Sequence, residues 1–508
     1  MFFRFLCLLL PLAVVCADEL EVDFEQAIKA LLEQFCGKDS KAVDPFTRTS
    51  HTIDAQGKKI SYTAITGKLP QYAVNGTVLG HLFFTAYLKE QTTAERPVTF
   101  IFNGGPGASS LAMHIASIGP RRLLLPEEGQ KSLPPYQMID NPETLLDVSD
   151  LILIDPIGTG YSRAEHDSYK PLYYSVEGDL ASFGEFIRMF CITFKRWNSP
   201  KYLMGVSYGT CRACGLAESL RQSWGISLNG VILLSPAFDF STISLGKLQR
   251  DMPLSDCLCI PTYAATAWYH GRGLQDKTLA EVVDYARRFV YEQYAPVMMQ
   301  PSRLNADEKK AFYQSLADLI GLPLQTVQRY EARISELIYT NEFFASERKI
   351  IGGIDSRYVG DVSTIDKEFY EDPSYRDFRP AFYPSFLHYM QTELNTDLSF
   401  PHYLSFGIEA FSQWDFSTHD SPSNLPNFFQ RLRRSLVDNP EMKVFVGAGY
   451  YDIRTPLGAA EYSLDHLDLP DSYQKNFQVE YYEAGHGFIF HLESLRKFKA
   501  DLIRFYEQ

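Results

Sequence analysis

Cysteine is scarce in this chain, with eight among 508 residues. Cys7 and Cys16 fall in the first seventeen residues, which leaves Cys36, Cys191, Cys211, Cys214, Cys257 and Cys259. Six thiols in a chain of this length do not make a disulfide scaffold, even where export permits disulfides. Cys211-x-x-Cys214 has redox-like spacing but lies on a predicted helix, so it reads as a pair of buried structural thiols. Cys257-x-Cys259 is too tight for a metal clamp and no second cluster accompanies it, so no metal or organic cofactor is implied. Basic charge is also in short supply. Lys and Arg number 48 against 62 Asp and Glu, a formal net charge of -14 and a pI near 5.3. That balance argues against nucleic acid as a partner, because phosphate binding needs a basic surface. Outside the N-terminus no apolar run is long enough to cross a bilayer, and no internal repeat or low-complexity tract is present.

What is there begins with residues 1–17, which read as a secretory signal. Arg4 supplies the basic start, residues 5–15 the apolar stretch, and Val15-Cys16-Ala17 a small-residue cleavage site, with Asp18 as the mature start. The expected destination is the periplasm or the outside of the cell; a vacuolar or lysosomal address is the alternative in a eukaryote. A membrane anchor is the competing reading of the run, which is short for a span. A lipoprotein cleavage before Cys16 is disfavoured by Val15. With 45% hydrophobic and 14% aromatic residues, the remainder suffices for a large core and more than one simple domain.

Phe24, Ile28, Leu31, Leu32 and Phe35 share one helical face, which predicts an amphipathic helix over 23–35. Residues 50–90 alternate apolar and polar, which predicts an antiparallel meander. Asn75-Gly76-Thr77 within it is a glycosylation sequon. Short, unalternating apolar runs follow at 98–102, 151–154, 202–204, 231–234, 443–446 and 477–482, with helical stretches at 175–194 and 211–224. Such runs suit buried parallel strands with crossover helices, an α/β sheet. Between about 241 and 435 the series breaks. Helix-like segments at 278–293, 306–319 and 324–338, and irregular Pro/Tyr/Asp stretches near 353–400, predict a large, mainly helical cap insertion. The expected organisation is a core of 18–240 and 436–508 carrying a cap of 241–435.

The chemistry centres on Lys201–Gly215, which holds Gly205-Val206-Ser207-Tyr208-Gly209, a G-x-S-x-G pattern between a strand and a helix. A nucleophile elbow needs that context, with Ser207 lifted to the C-terminal sheet edge at a helix N-terminus. An acyl-transfer serine needs a base and a group to orient it, arriving in the order serine, acid, histidine. His486 follows the last strand-like run directly, in Ala484-Gly485-His486; His491 falls on the next helix, and His114 and His270 lack the setting. Asp452 sits just past 443–449, whereas Asp465, Asp468 and Asp471 fall in a surface segment. The run 103–110, Asn-Gly-Gly-Pro-Gly-Ala-Ser-Ser, follows another strand, and consecutive glycines bare their N–H groups to a reacting carbonyl. It lacks the Gly-Lys-Ser/Thr ending of a phosphate loop.

Taken in order, the 103–110 run, Asp155-Pro156-Ile157-Gly158-Thr159-Gly160-Tyr161-Ser162, Gly205–Gly209, Asp452 and Ala484-Gly485-His486 resemble the serine carboxypeptidase family (peptidase family S10). The elbow Ser-Tyr-Gly-Thr-x-Arg-Ala at 207–213 looks like its bacterial-type branch. The resemblance runs from about residue 75 to the C-terminus. It implies an α/β-hydrolase fold with a cap, Ser207 as nucleophile, His486 as base and then acid, Asp452 as orienting acid, and the N–H groups of Gly105 and Tyr208 as the oxyanion hole. The family grips its substrate's free carboxylate with an asparagine, a glycine N–H and two glutamic acids. Asn103 and Gly104 match; Val206 and Ser117 stand where the glutamic acids belong. A protonated acid can hydrogen-bond a carboxylate where an ionised one repels it, so their loss predicts a peptide hydrolase whose carboxypeptidase activity is weak or less confined to acid. An esterase or acyltransferase on the same scaffold is the alternative. A catalytically silent binding protein is the third reading, opposed by the intact triad.

Overall fold

The computed structural model describes residues 46–93, 95–125, 133–243, 253–362, 372–396, 402–418 and 426–508. The predicted signal, the helix over 23–35 and Cys36 lie outside the described residues.

The core is one twisted sheet. Its main strands are β1 (Phe46–Ala55), β2 (Lys58–Tyr72), β3 (Val78–Lys89), β4 (Val98–Phe102), β5 (Asp150–Ile154), β6 (Lys201–Val206), β7 (Gly230–Leu234), β8 (Lys443–Gly449) and β9 (Phe477–Tyr482). They lie in the order β1-β2-β3-β5-β4-β6-β7-β8-β9. β1, β2, β3 and β5 pair antiparallel in sequence, and every pairing from β5 to β9 is parallel. The apolar runs explain the parallel half: β4, β5, β6 and β7 are buried at every residue, as strands covered on both faces must be. The sequon turn at Asn75–Thr77 is exposed between β2 and β3.

The chain leaves β4 for β5 on one side and β6 for β7 on the other. The crevice between the carboxyl ends of β4 and β6 is therefore the topological switch point, where open α/β sheets place their ligands. Helices Val176–Thr193 and Tyr208–Trp224 cover one face. The first starts at Ser175, whose side chain accepts from Gly178 N–H at 3.1 Å, and so satisfies one of the free donors of the opening turn. The C-terminal helix Leu492–Tyr506 covers the other face through Leu495, Phe498, Leu502 and Phe505. This is the α/β-hydrolase arrangement.

The excursion between β7 and β8 is mainly helical among its described residues and has an apolar core of its own, including Ile260, Tyr263, Val282, Phe289, Leu316, Ile320 and Tyr339. Helices Leu279–Phe289 and Ala306–Ile320 begin at Thr278 and Asn305 with capping boxes closed by Glu281 and Glu308. The stretch 324–338 is not one helix. It forms Leu324–Arg329 and Glu336–Glu342, separated by Glu331 and Ala332 at φ of 51° and 64°. The second piece is started by Ser335, whose side chain accepts from Ile338 N–H, so apolar periodicity ran across a break set by a cap. The chain rejoins the sheet through Phe429–Asp438, where Arg434 pairs with Glu218 on the helix after Ser207.

Candidate active site

Ser207 stands between β6 and helix Tyr208–Trp224 at φ 58° and ψ -126°. This is the sharp, strained turn that exposes a nucleophile's hydroxyl. Gly205 is required at the turn, because a Cβ there would lie 2.1 Å from the Gly209 carbonyl oxygen. Ser207 N–H donates to the Leu234 carbonyl at 2.9 Å, and the Ser207 carbonyl accepts from the N–H and hydroxyl of Thr210. The elbow is thus tied to β7 and to its own helix while its Oγ is left without a hydrogen bond among the described residues.

His486 and Asp452 come from the loops after β9 and β8. His486 Nδ1 lies 2.9 Å from Asp452 Oδ2. Asp452 is fully buried and its other oxygen accepts from Thr455 N–H at 2.9 Å. Ser235, next to the residue that anchors Ser207, donates its hydroxyl to the His486 carbonyl at 2.9 Å. The three predicted residues therefore stand past the carboxyl ends of β6, β8 and β9. No hydrogen bond joins Ser207 Oγ to His486 among the described residues.

The glycine loop closes on the elbow from β4. A Cβ on Gly104 would fall 2.5 Å from the Val206 oxygen and 2.7 Å from Tyr208 N, so only glycine permits this approach. The N–H groups of Gly105 and Tyr208 have no acceptor among the described residues. Asn103 and Gly104 are engaged with each other: Gly104 N–H donates to Asn103 Oδ1 at 2.9 Å, and Asn103 Nδ2 donates to the Ser109 carbonyl at 3.2 Å. Val206 is buried in the apolar cluster with Leu111, Ile115 and Ile118. Ser117 is fully buried and its hydroxyl has no partner among the described residues. Neither position offers a carboxyl group.

The remaining candidates have structural surroundings. His114 is buried against Tyr87, Phe386 and Tyr389, hydrogen-bonds Tyr87 and is pushed down to about 3 by burial. His270 contacts the Ser356 carbonyl at 2.8 Å. Asp465, Asp468 and Asp471 are exposed. Cys191, Cys211, Cys214, Cys257 and Cys259 are free, buried thiols. No group of three metal-ligating side chains, and no helix long and apolar enough to cross a membrane, occurs among the described residues.

The serine carboxypeptidase family model matches residues 69–313. Over that stretch the chain is similar to serine carboxypeptidases. Curated relatives include the pheromone-processing carboxypeptidase KEX1 of Yarrowia lipolytica, 28% identical over 205 residues, which are 40% of this chain and 31% of that protein. Serine carboxypeptidase-like 20 of Arabidopsis thaliana is 26% identical over 235 residues, 44% of each. The chain spans about a third to a half of the length of the curated relatives it matches. In fold it is similar to the crystal structure of Kex1(delta)p, a prohormone-processing carboxypeptidase from Saccharomyces cerevisiae. The TM-score is 0.53 at 14% identity, covering 87% of this chain and 91% of that one.

Three features around these residues were not given a role from the sequence. Thr455 donates its hydroxyl to Asp452 Oδ2 at 2.7 Å and lies 3.1 Å from His486 Nδ1. Arg212, on the elbow helix and fully buried, forks onto Asp179 through Nε and Nη2 and donates from Nη1 to the Asn103 carbonyl at 2.8 Å. It ties the glycine loop to the elbow. Spacing gave a signal for both, since Thr455 is three residues past the acid and Arg212 five past the serine, but the partners are set by the fold.

The third is Glu336, which reaches the acid loop from the excursion. It pairs with Arg454 at 3.0 Å, and Asp372, Asp452 and His486 are the other titratable groups facing it. Burial outweighs the pull of Arg454 and pushes the Glu336 carboxyl up to about 7. A carboxyl raised in this way holds a proton in the folded state that the unfolded chain releases near 4.5. Its contribution to stability is present below about 4.5 and lost as pH rises toward 7. Glu336→Gln is expected to flatten the fall in melting temperature across that window; an unchanged slope would count against the assignment.

Proposed function

We propose that this protein is a secreted serine carboxypeptidase acting by acyl transfer. The observation that carries the reading is the Asp452–His486 hydrogen bond at the same carboxyl edge of the sheet as Ser207 in its strained turn. Ser207 Oγ attacks the last peptide carbonyl as its proton passes to His486 Nε2. The oxyanion of the tetrahedral intermediate is held by the N–H groups of Gly105 and Tyr208, which have no acceptor among the described residues to give up first. His486 then protonates the departing amino acid. Water, deprotonated by the same imidazole, releases the shortened peptide and frees Ser207. Asp452 orients the ring throughout.

Recognition of the substrate carboxylate falls to Asn103 and Gly104, and these are partly committed to each other. With Val206 and Ser117 in place of acids, nothing at those positions must be protonated before a carboxylate can bind. The decisive experiment is release of free amino acid from a blocked dipeptide, followed against pH. Activity extending to neutral pH, with a weak grip seen as a high KM, is expected. Strong activity confined to acid pH would show that the two replacements do not matter.

The burial of Val206 among apolar side chains favours one second reading, an esterase or acyltransferase, whose substrate has no free carboxylate to hold. Hydrolysis of a simple ester without release of amino acid from the dipeptide would select it. Export rests on the signal read at residues 1–17, and N-terminal sequencing of protein recovered outside the cytoplasm, starting at Asp18, tests it.

A further inference from the structure

The excursion reaches the triad through 352–357, and the contacts there are made to both catalytic loops. The Ile354 carbonyl accepts from His486 N–H at 2.6 Å, and Asp355 Oδ2 accepts from Gly485 N–H at 2.9 Å. The Gly353 carbonyl accepts from the N–H groups of Ile453 and Arg454, each at 3.1 Å, and Ser356 N–H donates to the Tyr451 carbonyl at 3.0 Å. Arg357 Nη1 donates to the Glu483 carbonyl at 2.9 Å. The segment thus brackets Asp452 on one side and His486 on the other, by main-chain bonds that fix where each loop stands.

Within it, Asp355 is held firmly. Its carboxylate is forked by Arg357, Nε to Oδ1 at 3.0 Å and Nη2 to Oδ2 at 2.7 Å. Its own N–H donates to Ser374 Oγ at 3.1 Å. Asp372 fixes the preceding turn by accepting from Gly353 and Ile354 N–H. The fit leaves no slack: a Cβ on Gly485 would lie 2.3 Å from the Ile354 oxygen and 2.5 Å from Asp355 Cα. A charge-assisted bond from a locked, mostly buried carboxylate to the amide just before the catalytic imidazole is a strong constraint on that imidazole.

We propose that Asp355 is a positioning residue for His486, and that the excursion is part of the catalytic assembly because its segment 352–357 seats the acid and histidine loops together. The proposal rests on the assignment of His486 and Asp452 made above. It predicts that loosening Asp355 lets the ring swing off Asp452 while the substrate subsites on the glycine loop stay intact.

The test uses the full chain labelled with ¹⁵N-histidine, free of substrate, and reads the low-field proton on His486 Nδ1, assigned by its loss in Asp452→Ala. Asp355→Ala is expected to weaken or abolish that signal at temperatures where the protein remains folded. Against a small ester, kcat should fall about 10²-fold with KM little changed, the scale of a misplaced catalytic group. Asp355→Asn, which keeps an acceptor for Gly485, should fall between Asp355→Ala and the parent. If Asp355→Ala does not fold, Arg357→Lys, which breaks the fork and leaves Asp355 in place, is read by the same proton. An imidazole signal unchanged in whichever of the two variants is folded overturns the proposal, even if stability drops. Failure of a fluorophosphonate to label Ser207 in the parent protein would instead overturn the enzymatic reading, and the imidazole proton would still decide the role of Asp355.

Discussion

Ser207→Ala is expected to abolish labelling by a fluorophosphonate probe and to lower turnover on the order of 10⁶-fold, as loss of a triad nucleophile does. The same change should leave stability within about 0.5 kcal/mol of the parent. The second expectation follows from the local geometry. Ser207 Oγ has no hydrogen-bond partner among the described residues, so its removal strands no polar group. The backbone bonds that hold the elbow, from Ser207 N–H to Leu234 and from Thr210 to the Ser207 carbonyl, do not involve the side chain. Alanine meets the same penalty at φ 58° that serine does, so the turn is neither relieved nor further strained. A null activity with an unchanged melting curve places Ser207 in the chemistry and excludes a silent binding protein. Labelling that survives in the variant would move the nucleophile elsewhere.

The parallel half of the sheet, and the strand ends after which Ser207, Asp452 and His486 stand, were legible in the sequence for one physical reason. Parallel strands are buried on both faces and show as unalternating apolar runs, and catalytic side chains sit just past their carboxyl ends. The runs at 98–102, 202–204, 443–446 and 477–482 fall within strands that each lead into a site segment, so strand assignment and site assignment supported one another. The carry-over from the family pattern then named Gly105 and Tyr208, whose N–H groups find no acceptor among the described residues. What could not be read was tertiary pairing. Arg212 and Asp179 stand on different helices, and Asp355 meets Gly485 across 130 positions of sequence. No periodicity connects such residues. The stretch 324–338 failed for a local reason, since its apolar spacing continued across the Ser335 cap.

The described excursion has two arms on the site. Segment 352–357 holds the loops of Asp452 and His486. The other arm, from Leu404 to Trp414, holds the glycine loop and the elbow: Gly407 N–H donates to the Gly107 carbonyl, Ser109 N–H donates to the Ser405 carbonyl, and Trp414 packs edge-on against Tyr208. A cap regarded only as a lid on substrate would need no such bonds to the groups proposed above to carry out the chemistry. Variation in the excursion is therefore expected to alter kcat as well as substrate choice.

Asp452→Asn is expected to cost about 10⁴-fold in kcat without loss of the fold, for a reason the surroundings of Asp452 make specific. Both carboxylate oxygens are engaged: Oδ1 accepts from Thr455 N–H at 2.9 Å, and Oδ2 faces the Thr455 hydroxyl at 2.7 Å and His486 Nδ1 at 2.9 Å. An asparagine must place its oxygen on one side and its NH₂ on the other. The Thr455 N–H can only donate, so it selects the oxygen. The Thr455 hydroxyl can turn to accept, so the NH₂ goes to its side and meets Nδ1. That nitrogen must then accept, which moves the imidazole proton to Nε2, the atom that has to take the proton from Ser207. The variant keeps its packing and its hydrogen bonds and loses its base. Replacing Thr455 with valine in the Asp452→Asn background removes a partner of the NH₂ but leaves the main-chain N–H that dictates the orientation, so activity should not return. The ¹⁵N shifts of His486 report the tautomer directly. A ring protonated on Nδ1 in Asp452→Asn, or activity within about tenfold of the parent, would remove Asp452 from the role given to it here.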